Sequence, residues 1–247
     1  MHDITHTTVR LIIDIGNSRA KVAVFDGTEM VSSMRTDHDL TVLPEMVAQY
    51  PCQQGIISTT AGLTEKAEQR IAALPFEVLR MTGETPVPIQ VLYHTPQTLG
   101  SDRLAAVIGA WTQYPKRNIL IIDAGSCITY DFLDNEGNYR GGNISPGLGM
   151  RLNALHEHTA RLPKVESEGD TPEVGYDTET AIRSGVCIGI RHEIEGYIKA
   201  FREKYPDVLV FLTGGDAFHL DMSKENCTFA DEFLVLRGLN NILAYNI

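Results

Sequence analysis

Two stretches of the chain share one order of apolar and polar positions. Val9–Ile15 is mostly apolar, Gly16-Asn17-Ser18 is polar, and Ala20–Phe25 is apolar again. Ile119–Ile122 and Thr129–Leu133 enclose a second polar turn in the same way. Apolar, β-branched runs on both sides of a glycine-containing turn predict a β-hairpin. We therefore expect a hairpin near the start of each half of the chain.

Apolar residues spaced three and four positions apart predict the helices. Leu104, Val107, Ile108 and Trp111 follow this spacing, and Ser101 is the expected N-cap of their helix. Thr64 is the expected cap of an earlier helix, which follows a short strand at Gly55–Ser58. Further helices are expected around Leu148, Leu152 and Leu155, from about Thr178 onwards, and at Phe233–Tyr245.

The order of the predicted elements indicates a duplicated α/β protein. Residues 141–147, rich in glycine, are expected to form a loop, and residues 208–212 a buried strand. A polar segment, Pro115-Lys116-Arg117-Asn118, directly precedes the second hairpin. We place the boundary there, with an N-terminal domain at residues 1–115 and a C-terminal domain at residues 116–247. Because strands and helices mix in both halves, a cleft between two similar domains is the simplest arrangement.

The composition limits the classes of function. Apolar residues make up 43% and charged residues 21% of the 247-residue chain, as in soluble globular proteins. The 21 basic and 32 acidic residues give a formal net charge of −11, and the basic residues are scattered. This argues against a nucleic-acid surface. An acidic chain is expected to hold phosphates through backbone N–H groups and a metal ion.

Cysteine usage and hydropathy indicate the compartment. The four cysteines contain no C-x-x-C pair, so we expect neither a zinc site nor a disulfide framework. Residues 1–8 are polar and are not followed by the apolar segment of a signal peptide. No run approaches the roughly 18 apolar residues of a membrane span. We therefore expect a reduced, cytoplasmic protein without a membrane partner.

The two predicted turns carry the candidate chemistry. Asp14 and Asp123 each end a buried strand, and Gly16 and Gly125 follow at the same spacing. A hydroxyl-bearing serine then completes each turn. Turn N–H groups and hydroxyls donate to phosphate oxygens, while a carboxylate faces a neutralising cation. A single copy is equally typical of a tight hairpin turn, but two copies 109 positions apart favour phosphate binding.

Paired phosphate-binding hairpins characterise the actin, heat-shock-protein and sugar-kinase superfamily, which this chain resembles. Its motifs resemble those of the type III pantothenate kinases more specifically. Three signatures match in order: Asp14-Ile15-Gly16-Asn17-Ser18, Gly100-Ser101-Asp102-Arg103 and Asp123-Ala124-Gly125-Ser126. Tyr93, Gly141-Gly142, Pro146-Gly147, Asp177-Thr178 and Thr213-Gly214-Gly215 are supporting matches. The resemblance, from about Leu11 to Tyr245, implies duplicated actin-like (ribonuclease H-like) α/β domains with a nucleotide cleft between them.

The resemblance implies transfer of the γ-phosphate of ATP to the terminal hydroxyl of pantothenate, the first step of coenzyme A biosynthesis. Asp102 matches the general base of the family. A carboxylate with a reference pKa of about 3.9 is ionised at neutral pH and is able to accept the proton of the alcohol. At the start of a helix Asp102 also favours the helix dipole, so capping remains an alternative explanation for this residue.

The resemblance also assigns binding roles. Asp14 is expected to face the Mg²⁺–phosphate group, directly or through water, and Asp123 to bind a monovalent cation, K⁺ or NH₄⁺. The expected pantothenate contacts are Tyr93, Gly100, Ser101, Arg103 and Thr178. The expected nucleotide contacts are Asp14, Gly16, Asn17, Ser18, Lys21, Ser126, Gly214 and Gly215.

Several of these residues have a structural explanation that the sequence leaves open. Arg103 is also typical of a helix surface, Tyr93 of an aromatic core, and Thr178 of a helix cap. Lys21 lies on a predicted strand, where a solvated side chain is as good an explanation as a nucleotide contact. Gly214-Gly215 also suits a strand-to-helix turn. The departures from the family pattern are serines at positions 18, 101 and 126 and aspartate at position 177. The aspartate at position 177 leaves the detail of the substrate pocket open.

Two further functions remain as alternatives. Relatives of the family act as accessory factors in transcriptional control, so one alternative is a nucleotide-binding regulator without kinase activity. The other is a kinase of a different small alcohol on the same fold.

The family resemblance implies a homodimer, with ATP and pantothenate as ligands and no nucleic-acid partner. Ser58-Thr59-Thr60 has no partner motif for nucleophilic catalysis.

Overall fold

The computed structural model describes residues 8–217 and 227–247, and the chain divides into two compact units. The first unit comprises Met1–Pro115 and Phe233–Ile247, and the second comprises Lys116–Glu232. The sequence analysis placed its boundary between residues 115 and 116 but assigned everything after it to the second domain. The last helix instead belongs to the first unit.

Eleven strands and six α-helices are present in the described residues. The strands are β1 Val9–Ile15, β2 Ala20–Asp26, β3 Glu29–Thr36, β4 Gln54–Thr59, β5 Val78–Arg80, β6 Gln90–Val91, β7 Ile119–Ala124, β8 Cys127–Leu133, β9 Asn138–Pro146, β10 Leu209–Thr213 and β11 Phe229–Ala230. The helices are α1 Leu43–Gln49, α2 Glu65–Ala72, α3 Ser101–Gln113, α4 Leu148–Glu157, α5 Thr178–Lys204 and α6 Leu234–Tyr245. Over this part of the chain, none of the helices is long and apolar enough to cross a membrane.

The first unit is a five-stranded sheet with helices on both faces. Its strand order is β3-β2-β1-β4-β5, in which β1 pairs antiparallel with β2 and parallel with β4. Successive side chains of a strand point to opposite faces. Leu11, Ile13 and Ile15 of β1 form one core cluster with residues of α1 and α2. Helices α3 and α6 pack on the other face, where Ile12 and Ile56 are fully buried.

Helices α3 and α6 cross with their backbones in direct contact. A Cβ atom added to Gly238 of α6 would lie 1.8 Å from the carbonyl oxygen of Ala105 in α3. A Cβ atom added to Gly109 of α3 would lie 2.3 Å from the carbonyl oxygen of Leu234 in α6. Only glycine fits at both positions, and this close contact holds α6 in the first unit although the helix lies at the end of the chain.

We expect Gly238→Ala to lower the free energy of unfolding by about 3 kcal/mol, because the added methyl group has to force the two helices apart. Urea denaturation followed by circular dichroism measures this loss. Gly196→Ala in α5 is the matched control, since a Cβ atom there meets nothing within 4 Å. It should be neutral or slightly stabilising. A Gly238→Ala chain as stable as the parent would contradict the close crossing.

The second unit repeats the arrangement of the first around its own sheet. Its strand order is β11-β10-β7-β8-β9, in which β7 pairs antiparallel with β8 and parallel with β10. Helices α4 and α5 cover one face, where Leu120, Ile122 and Tyr130 join the core cluster. Tyr130 stacks on Tyr197 of α5 with ring centroids 3.8 Å apart. Both predicted hairpins, and the α/β duplication they indicated, are confirmed.

The prediction of a glycine-rich loop at residues 141–147 is wrong for most of this segment, because residues 141–146 belong to β9. Glycine disfavours strands on local propensity, but pairing with β8 along its length overrides that preference. Gly141 has a φ of +99°, and the register shifts opposite it between Phe132 and Leu133. Gly141 and Gly142 therefore mark a bulged strand instead of a loop.

Candidate active site

Asp14 is the last residue but one of β1, and its side chain lies on the same face of the sheet as that of Ile12, the face on which α3 and α6 pack. Its neighbours Ile13 and Ile15 are fully buried, whereas Asp14 itself is partly exposed. The strand register places Asp14 opposite Lys21 on β2 and opposite Ser58 on β4. The ladder thus brings a carboxylate, an ammonium group and a buried hydroxyl to one end of the first sheet. Lys21 is half-buried here and is not the fully solvated side chain that the sequence left open.

The turn after Asp14 is held by its own backbone and by a histidine. The Gly16 N–H donates to the carbonyl oxygen of Arg19 at 3.1 Å. His38, which the sequence analysis did not single out, donates from Nε2 to the carbonyl oxygen of Gly16 at 2.9 Å. Asn17 and Ser18 are exposed at the tip of the turn. An exposed amide and hydroxyl residue on a turn are residue types that suit phosphate binding.

The N-terminus of α3 presents Asp102. Gly100 is the N-cap and Ser101 is the first helical residue, so Ser101 is not the cap that the sequence predicted. The carboxylate of Asp102 accepts a hydrogen bond from the backbone N–H of Arg103 at 2.8 Å. A Cβ atom on Gly100 would lie 2.6 Å from Asp102 Oδ1, so glycine leaves room for this carboxylate. Asp102 is partly exposed, which suits a group that has to meet a substrate.

Arg103 and Tyr93 form a pair next to Asp102. The guanidinium carbon of Arg103 lies 5.7 Å from the centroid of the Tyr93 ring, a cation–π distance. Arg103 is only 7% exposed, so it is not an ordinary surface arginine. Tyr93 is partly exposed and lies outside the fully buried core. The residue that follows Asp102 is therefore a buried cation, and that cation lies over an aromatic ring.

The second unit repeats the position of the acid. Asp123 lies near the end of β7, opposite Thr129 on β8 and opposite Thr213 on the parallel strand β10. In the first unit Ser58 occupies the equivalent place on the parallel strand β4. Ser58 and Thr213 are 0% and 2% exposed. Each acid thus has a buried hydroxyl residue as its neighbour on the parallel strand, which supports the internal duplication.

Two glycines pack against the turn that follows Asp123. A Cβ atom on Gly147 would lie 2.1 Å from the carbonyl oxygen of Gly125. Gly214 has a φ of +97°, and a Cβ atom there would lie 2.2 Å from the carbonyl oxygen of Ala124 and 2.5 Å from Asp123 Oδ1. Gly215 is exposed, with nothing within 4 Å of an added Cβ atom. Gly214 is therefore brought against Asp123, and Gly147 against Gly125 and Ser126.

Thr178 begins α5 but does not cap it. Asp177 is the N-cap, and its carboxylate accepts from the backbone N–H of Thr180 at 2.8 Å. The hydroxyl of Thr180 completes a capping box, and these contacts hold the pKa of Asp177 below its ordinary value. Aspartate at position 177 is therefore an effective cap. The Thr178 side chain is exposed and belongs to the second unit.

A polar network that the sequence analysis missed braces the start of α4. Glu193 accepts from Tyr130 at 2.8 Å, from Ser145 at 2.5 Å and from Arg151 at 2.5 Å. Burial disfavours the ionised carboxyl, but these hydrogen bonds outweigh it and hold the pKa of Glu193 below its usual value. Arg151 also donates to the carbonyl oxygen of Pro146 at 2.7 Å, directly before Gly147. The network thus supports the segment that packs on the second turn.

The oxygen atoms at the ends of β1 and β7 are of the kind that binds hard cations. Asp123 Oδ1 and the carbonyl oxygen of Ala124 both lie within 2.5 Å of the position that a Cβ atom on Gly214 would take, so a carboxylate and a backbone carbonyl oxygen are close together there. Asp14 likewise offers carboxylate oxygens beside an exposed turn. Oxygen ligands are those that Mg²⁺ and K⁺ prefer over nitrogen or sulfur. In the described residues, no group of three or more histidine, cysteine or acidic side chains lies close enough together to hold a metal ion.

Two similar α/β units, each with an acid and a glycine turn at the end of its central strand, define an actin-like fold. A family model described as type III pantothenate kinase matches residues 10–200. The chain therefore belongs to the type III pantothenate kinase family. That match includes all three sequence signatures.

Comparison with known proteins agrees with this assignment. The chain is 53% identical over 239 residues to a type III pantothenate kinase of Bacteroides fragilis, covering 96% of this chain and 98% of the relative. A solved structure of a Campylobacter jejuni protein, assigned to the Baf family of transcriptional activators, superposes with a TM-score of 0.59 at 21% identity, covering 96% and 98% of the two chains. The polyphosphate/ATP-glucomannokinase of Arthrobacter gives a TM-score of 0.53 at 12% identity, covering 97% and 100%. These two structures show the shared fold.

Proposed function

We propose that this chain transfers the γ-phosphate of ATP to the terminal hydroxyl of pantothenate, with Asp102 as the general base. The single observation that carries the proposal is the N-terminus of α3. There a partly exposed carboxylate is followed by a buried arginine, and the preceding residue, Ser101, is hydrogen-bonded to Ser58 of β4, which lies opposite Asp14. Membership of the type III pantothenate kinase family supports the choice of substrate.

Asp102 would orient the substrate hydroxyl and accept its proton as the new O–P bond forms. At the same time the bond from the γ-phosphorus to the bridging oxygen breaks, and ADP leaves. Phosphoryl transfer depends mainly on positioning and charge stabilisation, so one well-placed acceptor is sufficient. Its position at the start of a helix favours the ionised carboxylate, because the helix dipole stabilises negative charge there.

The residues around Asp102 would bind pantothenate. The guanidinium group of Arg103 suits the carboxylate of pantothenate, because its planar fork donates two parallel hydrogen bonds. Tyr93 holds that guanidinium group from one side. Gly100 and Ser101 would supply backbone contacts at the same helix end. We also propose that Thr178, which belongs to the second unit, supplies a hydroxyl to pantothenate.

The two strand-end turns would bind ATP. In the first unit we assign this role to Asp14, Gly16, Asn17, Ser18 and Lys21. In the second unit we assign it to Ser126, Gly214 and Gly215. Mg²⁺, when bound with ATP, neutralises the charge on the phosphate oxygens, and Asp14 is the residue that would hold it, directly or through water.

A substrate panel tests the proposed function. Purified chain is assayed for ADP release with ATP, Mg²⁺ and either pantothenate, a set of sugars, or other acyl-amide alcohols. We expect turnover with pantothenate far above every other alcohol. Preference for another alcohol would contradict the proposed substrate, and binding of ATP without turnover of any alcohol would favour a non-catalytic regulator.

We also propose that Asp123 binds a monovalent cation, K⁺ or NH₄⁺. Its carboxylate and the turn carbonyl oxygens supply the required oxygen ligands. Activity is therefore expected to rise at least several-fold when sodium in the assay buffer is replaced by potassium or ammonium at equal ionic strength. Equal turnover in sodium-only and potassium buffer would contradict the proposal that Asp123 binds a monovalent cation.

A homodimer is the oligomeric state we propose. Ile144, Met150 and Tyr176 of the second unit are 61%, 49% and 70% exposed, and exposed large apolar side chains are typical of surfaces that become buried on association. Light scattering after size exclusion should give twice the chain mass of 27.3 kDa.

A further inference from the structure

Ser58 is a buried serine that no assigned role explains. It is 0% exposed and lies in β4 opposite Asp14. Full burial means that the side chain is unable to touch a substrate. Most buried hydroxyls are hydrogen-bonded, because burying an unpaired polar group is unfavourable. The partner of this hydroxyl therefore indicates what Ser58 does.

That partner is the first residue of α3. Ser58 Oγ lies 2.8 Å from Ser101 Oγ, and Ser101 is itself only 6% exposed. The N-cap Gly100 has no side chain with which to cap the helix. The hydrogen bond between the two hydroxyls thus connects the first turn of α3, immediately before Asp102, to strand β4.

We propose that Ser58 is a positioning residue, whose hydroxyl acts through Ser101 to fix the carboxylate of Asp102 relative to Asp14. This inference rests on the proposed function, since it assumes that Asp102 is the base. Strand β4 is a rigid support, whereas the ends of helices fray. In a reaction governed by positioning, displacement of a catalytic group by about 1 Å costs on the order of 100-fold in rate.

The test is a double-mutant cycle with Ser58→Ala, Ser101→Ala and the double variant. For each, kcat and the KM values for pantothenate and ATP are measured together with the melting temperature. Ser58→Ala should lower kcat about tenfold, a part of the loss that a 1 Å displacement produces. Its KM for ATP should stay within about twofold of the parent value, because the Ser58 hydroxyl is hydrogen-bonded to Ser101, a residue that we assign to pantothenate and not to ATP.

The double variant separates positioning from stability. A single substitution leaves one buried hydroxyl unpaired and should lower the melting temperature, whereas removing both hydroxyls leaves an apolar pair and should restore most of it. The kcat of the double variant should nevertheless stay as low as that of Ser58→Ala. Ser184→Ala is the matched control, since Ser184 is a buried serine whose hydroxyl has no hydrogen-bond partner within the described residues. Its kcat should be unchanged.

Two results would overturn the inference. One is a Ser58→Ala chain with the parent kcat, and the other is a double variant in which kcat recovers together with the melting temperature. Should Ser58→Ala fail to fold, Ser101→Ala and the double variant still give the same comparison. An inactive parent chain would contradict the proposed function itself. An active parent chain that gave either of the two results above would contradict only this inference.

Discussion

Asp102→Asn is expected to reduce kcat for pantothenate phosphorylation by roughly 10³-fold, because general-base catalysis contributes on the order of 10²- to 10⁴-fold. The fold should remain intact. The asparagine side-chain oxygen is still able to accept the hydrogen bond from the Arg103 N–H that Asp102 accepts at 2.8 Å. Only the favourable interaction with the helix dipole is lost, about 0.3 to 1 kcal/mol. A coupled ADP-release assay and thermal unfolding measure the two effects.

A second acid in a first helical turn provides the control. Glu45 lies in the first turn of α1 and is exposed. Glu45→Gln also removes a negative charge from a helix N-terminus, so it should lower stability slightly and leave kcat unchanged. If Asp102→Asn behaved like Glu45→Gln, Asp102 would be only a helix-terminal acid and not the base.

Gly214→Ala is expected to abolish measurable ATP binding and to destabilise the second unit by about 3 kcal/mol or more. The residue has a φ of +97°, which alanine adopts only at a cost. The added methyl group would also lie 2.2 Å from the carbonyl oxygen of Ala124 and 2.5 Å from Asp123 Oδ1. The turn and the acid have to move to accommodate it. Titration calorimetry with ATP and urea denaturation measure the two effects.

The neighbouring glycine is the matched control for stability. An added Cβ atom on Gly215 meets nothing within 4 Å, and Gly215 does not have a positive φ. Gly215→Ala should therefore retain the parent stability, while weaker ATP binding in this stable variant would support a direct nucleotide contact. Equal losses of stability in the two variants would contradict the close approach of Gly214 to the Asp123 turn.

The local patterns of the sequence were sufficient for the elements that carry the candidate chemistry. Both hairpins, the cap at Thr64, the helix beginning near Ser101 and the long helix from Thr178 are all present. Hydrophobic periodicity and turn residues are local signals, and these elements are long or strongly bounded. The three signatures, read in order, also led to the correct family.

The elements that sequence analysis missed have weak local signals. Strand β3 lies at the edge of the first sheet and five of its eight residues are exposed, so its sequence shows little hydrophobic alternation. The strand conformation of Gly141 and Gly142 comes from pairing with β8 and not from propensity. In both cases a neighbouring strand supplied the stability that the segment itself does not encode.

The sequence by itself determined which residues are apolar, where the turns fall, and that an acid ends the central strand of each half. Only the tertiary structure decided which distant residues meet these acids: Ser58 beside Asp14, Thr213 beside Asp123, and the hydroxyl of Ser101 against that of Ser58. It also decided that α6 packs on α3 through Gly109 and Gly238 and so joins the first unit. The physical reason is that periodicity specifies which face of an element is apolar, whereas strand register and helix contacts depend on the shape of a partner far away in the chain.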